Sequence, residues 1–237
     1  MEKAGTAIIL GASSGIGMEM ALWLAEKGWK VGITGRRKNL LDDVAARFPE
    51  RITASAFDVN ETDTLAERLD ELTQRLGGLE LLVISAGCGY INPELALEPE
   101  LATVATNVAS FTASADWGFN HFRRQGHGRL AAITSVGGLL GEGAAPAYPA
   151  SKAYQILYLA GLRKLAKKEG IQCGITELRP GPVKTDMLKG EGHFWISSPE
   201  AAADLACRAI LKGKKLQYIS RRWAALGILL RLFSLAS

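Results

Sequence analysis

Cysteine and histidine are scarce in this chain of 237 residues, which holds three of each. Cys88, Cys173 and Cys207 show no CxxC spacing, and an odd number of cysteines closes no disulfide framework. The histidines lie far apart, so neither a zinc nor an iron–sulfur site is expected. A reducing, cytoplasmic location is the default expectation. The 8 prolines and 26 glycines are scattered through a sequence that is 48% hydrophobic, which excludes collagenous and disordered classes.

Long apolar runs and a strong charge of one sign are also lacking. No stretch reaches the ~20 apolar residues that cross a bilayer, and residues 1–10 lack the h-region and cleavage site of a signal peptide. We therefore expect no leader and no membrane span. The 28 Lys+Arg against 24 Asp+Glu give a net charge of only +4. The basic clusters are short and separated, which argues against nucleic acid as the main partner.

Short apolar runs alternate with longer helical patterns, which predicts a doubly wound α/β fold in one domain. We expect about seven mostly parallel strands with helices on both faces, and ligands at the carboxyl edge of the sheet. The expected strands are Thr6–Leu10, Lys30–Thr34, Ile52–Ala56, Leu79–Ile84, Arg129–Thr134, Gln172–Leu178 and Leu216–Ile219. The expected helices are Ile16–Lys27, Lys38–Phe48, Thr62–Arg75, Pro99–Arg124, Ala147–Lys168 and Pro199–Leu211.

A glycine-rich turn with the spacing GxxxGxG follows the first expected strand and opens the first helix. Gly11 allows the sharp turn, Gly15 lets the backbone approach a pyrophosphate, and Gly17 permits close helix–strand packing, while the free N–H groups attract phosphates. An ordinary βα turn is the alternative, but the strand and helix on either side favour a dinucleotide site. The contacts expected here are Gly11, Ser13, Ser14, Gly15, Ile16 and Gly17.

The second expected strand runs into Arg36 and Arg37 instead of the carboxylate that usually holds a ribose 2′-hydroxyl. Guanidinium groups bind phosphate oxygens in a bidentate manner, so a 2′-phosphate, and therefore NADP(H), is the better expectation than NAD(H). A solvated helix N-terminus is the alternative. Asp58, next to Val59 after the third strand, could accept a hydrogen bond from the adenine amino group, although it could equally cap a helix.

Of the five tyrosines, only Tyr148 is followed four residues later by a lysine, Lys152. On a helix this spacing places both side chains on one face. An ammonium group beside the phenol would lower the pKa of Tyr148, as a general acid/base requires. Ser135 ends the fifth expected strand at the ligand edge, where its hydroxyl can donate to a substrate oxygen; its alternative role is to cap a turn.

In these motifs the sequence resembles the short-chain dehydrogenase/reductase family over about residues 5–220, in the family's order. The serine lies 13 residues before the tyrosine of the YxxxK motif, as the family requires. The resemblance implies a Rossmann-like fold and adds Asn107 to the catalytic set. It also implies cofactor contacts at Ala86, Gly87, Pro180, Gly181, Val183 and Thr185. Ile84 and Ser85 depart from the family's usual Asn-Asn, which puts local hydrogen bonding in doubt.

The expected function is that of an NADP(H)-dependent carbonyl reductase or alcohol dehydrogenase. Tyr148 would exchange a proton with the substrate oxygen, and Ser135 would polarise that oxygen. Lys152 would hold the nicotinamide ribose, and Asn107 a water that links Lys152 to solvent. The alternatives are a redox-inactive dinucleotide sensor and a membrane-attached enzyme of lipid metabolism. The family further implies a homodimer or homotetramer.

Substrate specificity is expected in three segments over the ligand edge, 88–97, 136–147 and 186–198. Their apolar side chains favour an apolar small-molecule substrate, and the last segment is expected to close on binding. The catalytic domain is expected to span residues 1–220, followed by an apolar tail at 221–237. Apolar residues surround most of the tail helix, so it must pack on its own domain or a partner, or else lie at a membrane surface.

Overall fold

Seven parallel strands form one sheet in the computed structural model, which describes residues 4–188, 194–220 and 222–225. The strand order is β3-β2-β1-β4-β5-β6-β7, and every neighbouring pair is parallel. The strands are β1 Thr6–Leu10, β2 Lys30–Gly35, β3 Ile52–Ala56, β4 Leu81–Ile84, β5 His127–Ile133, β6 Gln172–Pro180 and β7 Leu216–Ile219. The expected fold class is confirmed.

Helices cover both faces of the sheet because the central strands are apolar on both sides. The α-helices are α1 Gly15–Glu26, α2 Lys38–Ala46, α3 Thr62–Leu76, α4 Leu97–Val104, α5 Phe111–Gln125, α6 Ala147–Glu169 and α7 Pro199–Leu211. In β1, Ala7 and Ile9 pack with one apolar cluster, which includes residues of α1, α2 and α7. Ile8 and Leu10 point to the opposite cluster, which includes residues of α3, α5 and α6.

The helix expected over Pro99–Arg124 is wrong as a single regular element. A π-helical segment, Ala105–Ser110, separates α4 from α5. The apolar periodicity that predicts a helix is read over many residues, so one widened helical turn changes it little. Such turns occur mostly as single insertions within α-helices, frequently at functional sites, and this one carries Asn107.

The strand order reverses between β1 and β4, which pair with each other although two strands separate them in the chain. Crossovers lead from β1 to β2 in one direction and from β4 to β5 in the other, so a crevice opens beyond the carboxyl ends of β1 and β4. Within the described residues, no helix is both long and apolar enough to cross a bilayer.

Candidate active site

A cleft of about 1040 Å³ lies at this crevice. Every residue expected to bind the cofactor lines this cleft except Gly17. Every expected catalytic residue lines it except Asn107. Arg36 and Arg37 belong to this lining, and so do Ser135, Tyr148 and Lys152. The strand ends therefore bring residues from distant parts of the sequence to one site.

The glycine turn brings backbone segments into close contact beside the cleft. Gly11 has a φ of 81°, and a Cβ there would lie 2.6 Å from the backbone of Ala86. A Cβ on Gly17 would lie 2.3 Å from the Gly11 carbonyl oxygen, so only glycine allows α1 to start this close to β1. The side chain of the N-cap residue, Ser14, makes no capping hydrogen bond. The first amides of α1 are thus available to an anion.

Two arginines border the cleft beyond the end of β2. The Arg37 guanidinium donates from Nη2 to the hydroxyl of Ser13 at 2.8 Å and to that of Ser14 at 2.7 Å. Arg36 lies 3.7 Å from the carboxylate of Asp58, whose Oδ1 accepts from the backbone N–H of Asn60. These contacts tie Arg37 to the phosphate turn and Arg36 to the segment after β3. They also give Asp58 a turn-forming role beside its expected contact with adenine.

The reacting centre combines the end of β5 with the start of α6. The Ser135 hydroxyl accepts from the Gly137 backbone N–H at 3.0 Å, as a cap of the short 3₁₀ turn that follows. One turn of α6 places Lys152 beside Tyr148, with the Nζ atom 5.8 Å from the centre of the phenol ring. Lys152 is only 4% exposed, and its ammonium donates to the Ile133 carbonyl oxygen at 3.0 Å. The expected serine, tyrosine and lysine are thus brought together.

The pKa of Tyr148 corrects one expectation. Burial raises the pKa of this phenol above its ordinary value, and the hydrogen bond with Ser135 offsets only part of that rise. The hydrogen bonds of the Lys152 ammonium go to the Ile133 and Gln155 oxygens. Burial also lowers the pKa of Lys152 to about 8. The site therefore holds a protonated phenol at neutral pH, which is the form that can donate a proton.

Asn107 joins three segments of the site. Its side chain donates to the Cys88 carbonyl at 2.7 Å and to the Ser151 hydroxyl at 3.0 Å, and it accepts from the Cys88 backbone N–H at 2.9 Å. Its own backbone carbonyl accepts from the Gln155 side chain at 2.8 Å. These partners give Asn107 a bracing role between the strand-end segment and α6. The water that the family resemblance implies stays a prediction.

The segment after β6 closes the other side of the cleft. Pro180, Gly181, Val183 and Thr185 all line the cleft. A Cβ on Gly15 would lie 3.1 Å from the Thr185 methyl group, so this segment reaches the phosphate turn.

The comparisons with known proteins agree with this geometry. The sequence model of the family described as short chain dehydrogenase matches residues 5–194. The chain belongs to the short-chain dehydrogenase family. An uncharacterized oxidoreductase of Myxococcus xanthus is 31% identical to this dehydrogenase over 216 residues, which cover 88% of this chain and 84% of that protein.

Two solved structures share the fold of this short-chain dehydrogenase. One, from Burkholderia phymatum in complex with NAD, has a TM-score of 0.87 at 19% identity and covers 96% of this chain and 92% of its own. The other, from Burkholderia cenocepacia in complex with NADP, has a TM-score of 0.84 at 20% identity and covers 99% and 95%. The open amides of α1 and the glycine-lined cleft fit such a dinucleotide. The protein is an oxidoreductase of this family.

Sequence reasoning missed two residues that shape the dehydrogenase site. Gly89 packs against Tyr148, since a Cβ there would lie 2.6 Å from the phenol ring. Gln155 is 1% exposed and accepts from the Lys152 ammonium at 3.0 Å. A polar residue three positions after Lys152, on the same face of α6, was the available signal for Gln155. Gly89 gave none.

The described part of the tail packs on the catalytic domain. Trp223 is 7% exposed; its ring stacks on Phe194 at 5.4 Å and meets Trp195 edge-on at 5.8 Å. Trp223 also lines the cleft, against Gly181. Residues 226–237, on which the membrane alternative depends, lie outside the described residues.

Proposed function

We propose that this dehydrogenase transfers a hydride between NADP(H) and the carbonyl or secondary alcohol carbon of an apolar substrate, with Tyr148 as the general acid/base. The observation that carries the proposal is the cluster of Ser135, Tyr148 and Lys152 in the same cleft as the phosphate turn and the arginine pair. The bound cofactor supplies the hydride chemistry, and the protein supplies placement and proton transfer.

In the reduction direction, the Tyr148 phenol donates its proton to the substrate oxygen as negative charge develops there. Its raised pKa keeps the proton available at neutral pH. The Ser135 hydroxyl donates a second hydrogen bond to the same oxygen, which stabilises the developing charge. The Lys152 ammonium faces the phenolate that remains. A Cβ on Gly87 would lie 3.6 Å from its Nζ atom, so glycine leaves room for the nicotinamide ribose beside the ammonium.

The preference for NADP(H) rests on Arg36 and Arg37. Both line the cleft, Arg37 is tied to the phosphate turn, and no carboxylate ends β2. A 2′-phosphate placed there would meet two guanidinium groups, whereas a free 2′-hydroxyl would lack its usual acceptor.

The preference for an apolar substrate rests on the segments at the mouth of the cleft. We propose that residues 88–97, 136–147, 186–188 and 194–198 form the substrate side; residues 189–193 of the expected third segment lie outside the described residues. Their exposed apolar side chains include Tyr90, Ile91, Leu140, Met187, Phe194 and Trp195. The tail residue Trp223 completes this surface.

A panel of ketones and aldehydes tests the proposal, with NADPH or NADH and with loss of reduced-nicotinamide absorbance as the readout. We expect turnover of apolar carbonyl compounds with NADPH and weak turnover with NADH. Tight NADPH binding without turnover of any carbonyl would favour the sensor alternative, although a sensor has no need for the clustered acid/base residues.

We also propose that the chain forms a homodimer or homotetramer. Leu97, Leu101 and Val104 are exposed and share one side of α4 at helical spacing, which supports a protein contact there. Light scattering on the eluting protein tests this, and a mass of one chain at assay concentration would contradict it.

A further inference from the structure

Gln155 forms an internal bridge that the described mechanism does not use. Its side-chain oxygen accepts from the Lys152 ammonium at 3.0 Å, and its Nε2 donates to the Asn107 carbonyl at 2.8 Å. Gln155, Lys152 and Asn107 are 1%, 4% and 0% exposed. Water therefore does not compete with either hydrogen bond from the solvent side.

The orientation of this carboxamide is fixed by its two partners. Asn107 offers a carbonyl oxygen, which only accepts, and Lys152 offers an ammonium group, which only donates. A flipped amide would place oxygen against oxygen and N–H against N–H. The Gln155 oxygen must therefore face Lys152, and it favours the charged form of the lysine over the neutral one.

Few other groups near Lys152 can favour its charged form. Among the described residues, Tyr148 on α6 and Cys88 after β4 are the titratable groups that face Lys152. No carboxylate is paired with this buried ammonium in the described part of the chain. Burial lowers the pKa of Lys152 to about 8, although the nearby Cys88 acts to raise it, so each oxygen that accepts from the ammonium matters.

We propose that Gln155 is a positioning residue of the active site, whose side-chain oxygen keeps Lys152 charged and correctly placed beside Tyr148. This inference rests on the proposed function, because Lys152 must be cationic to stabilise the Tyr148 phenolate. Gln155 touches neither the substrate nor the reacting atoms. Its effect passes through Lys152, and Asn107 holds it in the productive orientation.

The test uses Gln155→Met, which keeps the side-chain length and removes the acceptor, and Gln155→Glu, which keeps an acceptor and adds charge. Gln125→Met is the control for the same substitution elsewhere, since the Gln125 side chain donates to the backbone carbonyls of Leu79 and His127 at the opposite edge of the sheet. The first readout is the pH titration of the Lys152 ammonium. NMR of lysine labelled with ¹⁵N at Nζ detects this titration, and Lys152→Met assigns the Lys152 signal. This readout needs no turnover.

We expect the titration midpoint to fall by about one pH unit in Gln155→Met, to rise in Gln155→Glu and to stay unchanged in Gln125→Met. With an active carbonyl substrate, Gln155→Met should lower kcat about tenfold and leave KM within about twofold. The alkaline limb of its pH profile should move to lower pH, and Gln155→Glu should move it the other way.

The outcomes separate this inference from the proposed function. A shifted Lys152 titration in a protein that reduces no carbonyl would support the bridge and overturn the proposed reaction. Active enzyme in which Gln155→Met leaves both the titration and the pH profile unchanged would overturn the inference. If Gln155→Met does not fold, Gln155→Glu alone decides: an unmoved midpoint and pH profile would contradict the positioning role.

Discussion

Replacement of Arg37 by alanine should weaken NADPH binding far more than NADH binding. An ion-assisted hydrogen bond contributes about 1.5–3 kcal/mol, and the lower end applies here because the Arg37 side chain is 49% exposed. This corresponds to about a tenfold rise in the Kd for NADPH. The double replacement of Arg36 and Arg37 should raise the Kd for NADPH about 100-fold if the two contributions add.

Arg37→Ala should affect NADH binding only through the contacts of Arg37 with the phosphate turn. Arg37 also donates to the hydroxyls of Ser13 and Ser14 in the phosphate turn, and water can replace these exposed bonds. We therefore expect the Kd for NADH to change by no more than about threefold. Titration of nicotinamide fluorescence at low and high salt gives both constants, and added salt should reduce the preference for NADPH.

Lys38→Ala is the matched control for this experiment. Lys38 is the next basic residue in the chain, but it pairs with Asp42 on α2 and does not line the cleft. Lys38→Ala should therefore leave the Kd values for NADPH and NADH unchanged. Equal losses of NADPH and NADH binding in Arg37→Ala would refute a 2′-phosphate site and reduce Arg37 to a structural tie of the phosphate turn.

Two further predictions concern Lys152 and the glycine turn. Burial lowers the pKa of Lys152 to about 8, and only the ammonium form of this residue stabilises the phenolate. We therefore expect kcat for carbonyl reduction to fall as the pH rises through that value. A flat pH profile of kcat between about pH 7 and 9.5 would contradict this role of Lys152. Gly17→Ala places a Cβ 2.3 Å from the Gly11 carbonyl oxygen, which should cost roughly 1–3 kcal/mol and lower Tm by about 2–12 °C. Gly174→Ala, whose Cβ would meet nothing closer than 3.7 Å, is its control in the same thermal melt; equal Tm values would refute the packing argument.

Local patterns explain why much of the fold could be predicted from the sequence. β1, β3, β7 and α7 have the predicted bounds, because apolar runs and cap residues define them within a few positions. The spacing from Tyr148 to Lys152 also translates directly into geometry, since one helical turn separates them. For the same reason the glycine turn could be located between its strand and helix.

Long-range contacts explain what the sequence did not reveal. The π-helical turn at Asn107 depends on partners in two other segments, Cys88 and α6. The direction of the Lys152 ammonium depends on oxygens of Ile133 and Gln155 that only the folded chain brings together, and the raised pKa of Tyr148 depends on burial in the fold. Helical spacing placed the two side chains on one face but did not specify what each of them contacts.

Tyr148→Phe is the most direct test of the proposed chemistry, because it removes one hydroxyl and leaves the packing against Gly89 in place. NADPH binding and carbonyl turnover should be measured on the same preparation. With Tyr148 as the proton donor, we expect a Kd for NADPH within about twofold of the unsubstituted protein and a kcat lower by about 10²–10⁴-fold. A variant that keeps most of its turnover would show that the proton comes from another group.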